Sequence, residues 1–188
     1  MAMARGQGDW AQVVKLDEKY PYVDPFKPHL VQDAEYAFDL VAANDMPAAR
    51  SRAEKLIPRF KTALDKQPDN SSMWGNLALL HAIVGEKEQA LACAHKAVEL
   101  MPESADAVAG PANSTGLAQI LAWTGDKDGA LKELARLLQT PHGVNIYNAR
   151  LDIGWLPLRG DPRYEALVND PKNNAPLLSD PMGYTPLP

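Results

Sequence analysis

The chain repeats itself. Displaced by 40 residues, Leu77-Ala78 falls on Leu117-Ala118, Ala82 on Ala122, Gly85-Glu86-Lys87 on Gly125-Asp126-Lys127, Ala90-Leu91 on Ala130-Leu131 and Val98 on Leu138. Displaced by 41, Tyr36-Ala37 falls on Leu77-Ala78, Asn44-Asp45 on Gly85-Glu86, Ala49 on Ala90 and Leu56-Ile57 on Ala97-Val98. Three copies in register are more than composition alone produces, and a period of this length is the mark of one supersecondary unit stacked on itself.

Each copy reads as two helices around a tight turn. In the second copy Trp74, Leu77, Ala78, His81 and Ala82 recur at steps of three and four, which gives one apolar helix face. Gly85 stops that helix, since a left-handed C-cap suits glycine. The next helix starts near Glu86 and presents Ala90, Leu91, Ala94, Ala97 and Val98 until Pro102 ends it. The third copy repeats the plan with Leu117, Ile120 and Leu121, then Gly125, then Ala130, Leu131, Leu134, Leu137 and Leu138, and stops at Pro141. The first runs from about Pro28 to Asn44 and from Met46 to Lys66. Ala37, Ala78 and Ala118, facing Ala49, Ala90 and Ala130, let the two helices of a hairpin approach closely. A larger side chain there overpacks by roughly 1–3 kcal/mol. No β pattern competes.

Four segments follow. Residues 1–27 hold an N-terminal helix around Trp10 and a Pro-rich connection; 28–142 hold the repeats. Residues 143–170 hold an irregular piece, Val144 to Arg159, and a short capping helix begun by Asp161 and Pro162, with Tyr164, Leu167 and Val168 as its apolar face. Residues 171–188, with five prolines, read as extended or disordered. The stretch from Ala109 to Ser114 reads as part of a longer connection between the second and third hairpins.

Composition excludes several functions. Lys plus Arg is 19 and Asp plus Glu 24, a net charge of −5, against the positive field that nucleic acid or an anionic membrane requires. One cysteine, Cys93, rules out an internal disulfide framework. No apolar run is long enough to insert in a membrane, and Met1 to Gly8 is not followed by the apolar core of a secretion signal. The expected compartment is the cytoplasm, or the periplasm if the chain belongs to a membrane-anchored parent. Catalytic signatures are missing: no G-x-S-x-G, no phosphate loop and no H-E-x-x-H. Cys93 and His95, two apart on a helix, face different ways, so no metal site or cofactor is expected, and His81 reads as filling an aromatic packing slot. Asn70-Ser71-Ser72 and Asn113-Ser114-Thr115 fit the glycosylation pattern but read as helix caps. Arg50, Arg52, Lys55, Arg59, Lys61 and Lys66, against Glu54 and Asp65, read as a solvated helix face rather than a dock for an acidic partner.

Trp74, Leu77-Ala78, His81, Gly85, Ala90, Ala97 and Pro102 together resemble the tetratricopeptide repeat, with His81 in place of the family's aromatic residue. The third copy keeps Leu117-Ala118, Gly125 and Ala130 but has Ser114 at the tryptophan position; the first has Asn44 at the glycine. The likeness covers about residues 28–142. The flanks, Val98-Glu99-Leu100-Met101-Pro102, Asp106-Ala107-Val108, Gly110-Pro111, Arg150-Leu151-Asp152 and the run from Trp155 to Tyr164, are similar to the C-terminal repeat region of bacterial signalling proteins. Those join such repeats to a TolB-like segment and carry an upstream adenylate-cyclase, kinase or winged-helix domain, which this sequence lacks. The resemblance implies an all-α, right-handed α-solenoid of three hairpins, with an extra N-terminal helix and a short C-terminal capping helix.

In such a stack the first helices line a concave surface. Periodicity puts Val31, Ala34, Phe38, Val41 and Ala42 there from the first copy, Leu79, Ala82 and Ile83 from the second, and Gln119, Ala122 and Trp123 from the third. The family's chaperone-tail clamp is not expected, because its positions offer Val31, Ser72, Ala112, Ala34, Gly75 and Thr115, with only Asn76 polar nearby. The expected function is a non-catalytic interaction module. Phe38, Val41, Leu79, Ile83, Gln119 and Trp123 would contact a peptide or helix of another protein. The alternative is a regulatory or sensory segment of a larger bacterial signalling enzyme or transcription factor. Self-association through the groove, through the N-terminal helix or through the tail, with Leu177, Leu178, Tyr184 and Leu187, is a further use of the same surfaces.

Overall fold

A computed structural model describes residues 9–19 and 29–173. Among them every regular element is helical and there is no strand. The order is α1 (Trp10–Lys19), α2 (His29–Ala42), α3 (Met46–Lys66), α4 (Ser71–Val84), α5 (Lys87–Leu100), α6 (Gly110–Thr124), α7 (Lys127–Leu137) and α8 (Ile146–Leu151). A 3-10 segment (Ile153–Leu158), α9 (Pro162–Asn169) and a 3-10 turn (Pro171–Asn173) complete it. No described helix is long and apolar enough to cross a membrane. The connection at 20–28 and the tail at 174–188 lie outside the described residues.

The three hairpins turn by the same device. Asn44, Gly85 and Gly125 take left-handed φ values of 63, 92 and 102°. The Gly85 N–H donates to the carbonyls of His81 and Ala82, and that of Gly125 to Leu121 and Ala122, closing carbonyls a helix end leaves open. Asn is the non-glycine residue that best tolerates this region. Asp45 and Asp126 then cap α3 and α7, accepting from the N–H groups of Ala48 and Gly129. Glu86 does not cap α5. Its carboxylate instead accepts Nδ1–H of His81 at 2.5 Å, which gives the buried imidazole a polar partner.

Ala37, Ala49, Ala78, Ala90, Ala118 and Ala130 are all 0% exposed. Helices pack against their neighbours in sequence, α2 on α3, α3 on α4 and so on to α7, while α2 also touches α4 and α4 touches α6. One core gathers the first two hairpins around Phe60, Leu77, Leu80 and Ile83 and reaches Ile120 of α6. A second joins the third hairpin to Ile146, Ala149, Trp155, Leu158, Tyr164 and Val168. The expected short helix therefore exists and shares a core with the third hairpin. Tyr164 secures it by donating to the carbonyl of Ala149 at 2.7 Å.

Four local expectations are corrected. The stretch Gly110–Ser114 opens α6 instead of forming a connection, because Pro111 has the φ of a first helical turn. Asn113 is therefore inside a helix and is no N-cap; its Nδ2 donates to the carbonyls of Ala97 and Met101 and closes the end of α5. Asn70 does cap α4, through Met73 N–H. The piece from Val144 to Arg159 is regular: Asn145 caps α8 and Asp152 caps the 3-10 segment. Pro171–Asn173, read as the start of the extended tail, is a 3-10 turn. In the basic run of α3, Arg52 and Arg59 grip Asp33 of α2 at 2.7 and 3.0 Å, and Arg52 lies 4.4 Å over the Tyr36 ring. Arg50, Lys55, Lys61 and Lys66 are exposed.

The buried alanines give a direct test. Ala90→Leu is expected to lower stability by about 1–3 kcal/mol in urea unfolding, while Ala92→Leu, on the exposed side of α5, leaves it nearly unchanged. Equal effects would mean that close approach at Ala90 does not constrain the hairpin.

Candidate interaction site

Ala34, Glu35, Phe38 and Asp39 fall within two turns of one face of α2. Asn76 and Leu79, three apart, share a face of α4, and Gln119 comes from α6. These side chains, with Trp10 of α1 and Leu151, Asp152 and Ile153 from the C-terminal segment, line a cavity of about 300 Å3 that is open to solvent. The first helices of all three hairpins thus contribute to one space.

The six expected contact residues divide. Phe38, Leu79 and Gln119 line the cavity. Val41 and Ile83 belong to the core instead; Ile83 is 1% exposed. The reason is that α2, α4 and α6 touch one another, so residues between neighbouring first helices are covered by the next helix. Trp123 is half-buried, with its ring 5.8 Å from that of Phe38 and Nε1 donating to the carbonyl of Gly154 at 3.0 Å. The C-terminal segment therefore occupies the stretch of surface that α6 was expected to offer.

That covering is specific. Gln119 donates from Nε2 to Asp152 Oδ2 at 2.7 Å, while Asp152 Oδ1 accepts from Gly154 N–H at 2.8 Å. A Cβ at position 154 would collide with the Gln119 carboxamide. Only glycine lets the backbone come that near.

Sequence reasoning named Asn76, Trp10 and Asp152 for other reasons and missed Glu35 and Asp39. Glu35 and Asp39 were within reach of the periodicity, being three before and one after Phe38. Asp152 was not, because its approach to α6 depends on a contact 33 residues away along the chain.

No Ser, Thr, Cys, His or Lys side chain lines the cavity. Burial pushes the Cys93 thiol up to about 11, which keeps it protonated at neutral pH, and burial likewise raises Tyr164 to about 12. Among the described residues, no three His, Cys, Asp or Glu side chains are placed to share a metal ion. At the start of α9, Arg163 hydrogen-bonds Asp161 and holds its carboxylate at about 2. Comparison with models of protein families, with curated proteins and with solved structures finds no match for this chain.

Two outcomes follow. Asp152→Ala removes the acceptor of the buried Gln119 amide and the cap of the 3-10 segment. The expected loss is about 1–3 kcal/mol, with faster hydrogen exchange over residues 153–158; unchanged exchange there would mean that these bonds do not hold the segment. Asp161 has a folded pKa below its unfolded value near 4, so its contribution is present above about pH 4 and is lost as pH falls through about 2. Amide protection in α9 should decline over that window, and Asp161→Asn should remove the decline.

Proposed function

We propose that this chain is a tetratricopeptide-like, right-handed stack of three helical hairpins that acts as a non-catalytic interaction module for a peptide of another protein. The observation that carries this reading is the cavity to which α2, α4 and α6 each contribute a wall. Shared use of equivalent helices is how a repeat array builds a binding surface. The lining supports recognition over chemistry, since it offers carboxylates, amides and apolar groups without a nucleophile beside a base.

The contact surface in this reading is narrower than the apolar groove read from the sequence. Phe38 and Leu79 are its apolar anchors and Gln119 its polar one, while Trp123 supports Phe38 from behind. A few such side chains carry most of the energy of an interface.

Selection from a displayed peptide library tests it. The chain is expected to enrich a motif, and Leu79→Asp should weaken the selected peptide at least tenfold with little change in melting temperature, because Leu79 is half-buried at the cavity wall. Retained affinity would remove the cavity from the reading; no enriched motif would remove the reading itself.

A further inference from the structure

We infer that residues 174–187 act as a strap that folds back over α8 of the same molecule, setting Leu177 and Leu178 on Tyr147 and Leu151 and Asp180 beside Arg150 and Arg159. The contact stands apart from the peptide-binding reading. Its consequence, that the strap competes with a bound peptide at the Leu151 rim of the cavity, rests on that reading.

Exposed apolar surface comes first. Among the described residues the exposed large apolar side chains are Val108, Tyr147, Leu151 and Leu156, and all but Val108 fall between positions 147 and 156. Tyr147 and Leu151 are 64% and 55% exposed and one turn apart on α8, so they present a single patch. Leu151 also lines the open cavity, which brings the patch to its rim. Apolar residues scattered singly need no account, whereas adjacent ones mark a contact surface.

The chain itself arrives at that patch. Arg150 lies three residues after Tyr147 and next to Leu151. It donates from Nε to the carbonyl of Val168 at 2.9 Å and from Nη2 to Asn169 Oδ1 at 3.1 Å, which ties α8 to the last turn of α9. Asn173, the last described residue, donates from Nδ2 back to the carbonyl of Leu167 at 3.0 Å, so the chain leaves close to that turn. Leu177 and Leu178 follow directly on Asn174-Ala175-Pro176. Extended chain covers about 3.3 Å per residue, enough to cross a helix about 10 Å wide. Closing so short a loop costs little, and tethering gives a local concentration of about a millimolar, above that of a second copy in solution.

The composition of the segment fits the surface. It carries Leu177, Leu178, Met182, Tyr184 and Leu187, with Asp180 as its sole charged side chain. Pro176 and Pro181 on either side of the paired leucines restrict the backbone, so ordering it on a surface loses little entropy. Charge gives the register. Arg159 Nη2 donates to the carbonyls of Arg150 and Asp152 at 3.2 and 3.3 Å, which places a guanidinium at the end of α8. Neither Arg150 nor Arg159 has an ion-pair partner among the described residues. Asp180, two residues after Leu178, supplies a carboxylate. An exposed pair of this kind orients the strap, and the leucines hold it.

A spin label tests the contact in the full chain. Ser179→Cys carries the label, and Cys93 is buried and does not compete for it. The amides of Tyr147 and Leu151 are expected to broaden with the label oxidised and recover on reduction, while Lys61 and Lys66 on α3 stay unchanged. Leu177→Asp with Leu178→Asp should cut the broadening at least threefold, and so should Tyr147→Ser at the Leu151 amide, with the melting temperature unchanged in each. Broadening that survives both would reflect tethering alone and overturn the strap, as would none at α8. A mixture of spin-labelled chain and 15N-labelled chain without the label should show none; broadening there would replace the strap by a second copy. The Leu177→Asp, Leu178→Asp chain should bind a library-selected peptide at least threefold more tightly than the wild-type chain. Equal affinity would overturn the competition. Leucine-dependent broadening in a chain that enriches no peptide would leave the strap standing and remove the peptide-binding reading.

Discussion

Each helix of the three hairpins carries an alanine with no exposed surface, Ala37 and Ala49, Ala78 and Ala90, Ala118 and Ala130, and a side chain of that size is what lets two packed helices approach closely. That distance allows the chain to reverse through a single left-handed residue. The short reversal in turn fixes where the next helix is capped, by Asp45 in the first hairpin and Asp126 in the third. With hairpins this thin, successive first helices reach one another, α2 to α4 and α4 to α6. A methyl group per helix thus decides whether the three helices that line the cavity can meet at all. Residues on those helices that are not between neighbours remain at the surface, and Phe38 and Leu79 are of this kind.

A bare array of that sort would leave an apolar trough. The C-terminal segment changes its nature. It lays Ile153 and the Gly154 backbone against α6, takes up the indole N–H of Trp123 and turns the Gln119 amide toward Asp152. Covering apolar surface at one end is favourable at about 25 cal/mol per Å2. It also changes the chemistry of the remainder, because Asp152 places a carboxylate in the cavity wall.

The repeats were legible because everything that makes them is local: apolar residues at steps of three and four, a glycine or asparagine at each turn, and an aspartate or glutamate after it. Helix ends were less so. Gly110-Pro111 looks like a loop in sequence, yet proline suits a first helical turn as well as it suits a bend, and only packing against α5 distinguishes them. The segment from Val144 to Arg159 hid its order in short elements of six residues each, too short for periodicity to show. Of the six expected contact residues, Phe38, Leu79 and Gln119 line the cavity; Val41 and Ile83 point along the same stripe but sit between helices. Helical phase cannot tell a groove residue from an inter-helix one, since the two differ by where the next hairpin lies. Asp152 was beyond any local rule.

The placement of charge also separates two surfaces that composition treats alike. The basic run on α3 is a large concentration of positive charge in an acidic chain, and it invites a functional reading. Its two best-placed guanidiniums are already engaged with Asp33, and the other cations stand in water, where pairing is worth little. The cavity is the opposite case. Of its carboxylates Asp39 is buried, where Coulomb interactions are less screened, while Asp152 is exposed to solvent. Asp152 does more there than add charge. By drawing Nε2 of Gln119 to itself it fixes which end of the amide remains open. A neutral residue at 152 would free that amide to turn, offering a donor where an acceptor now stands. One carboxylate on the C-terminal segment therefore sets the hydrogen-bonding sense of this part of the cavity wall.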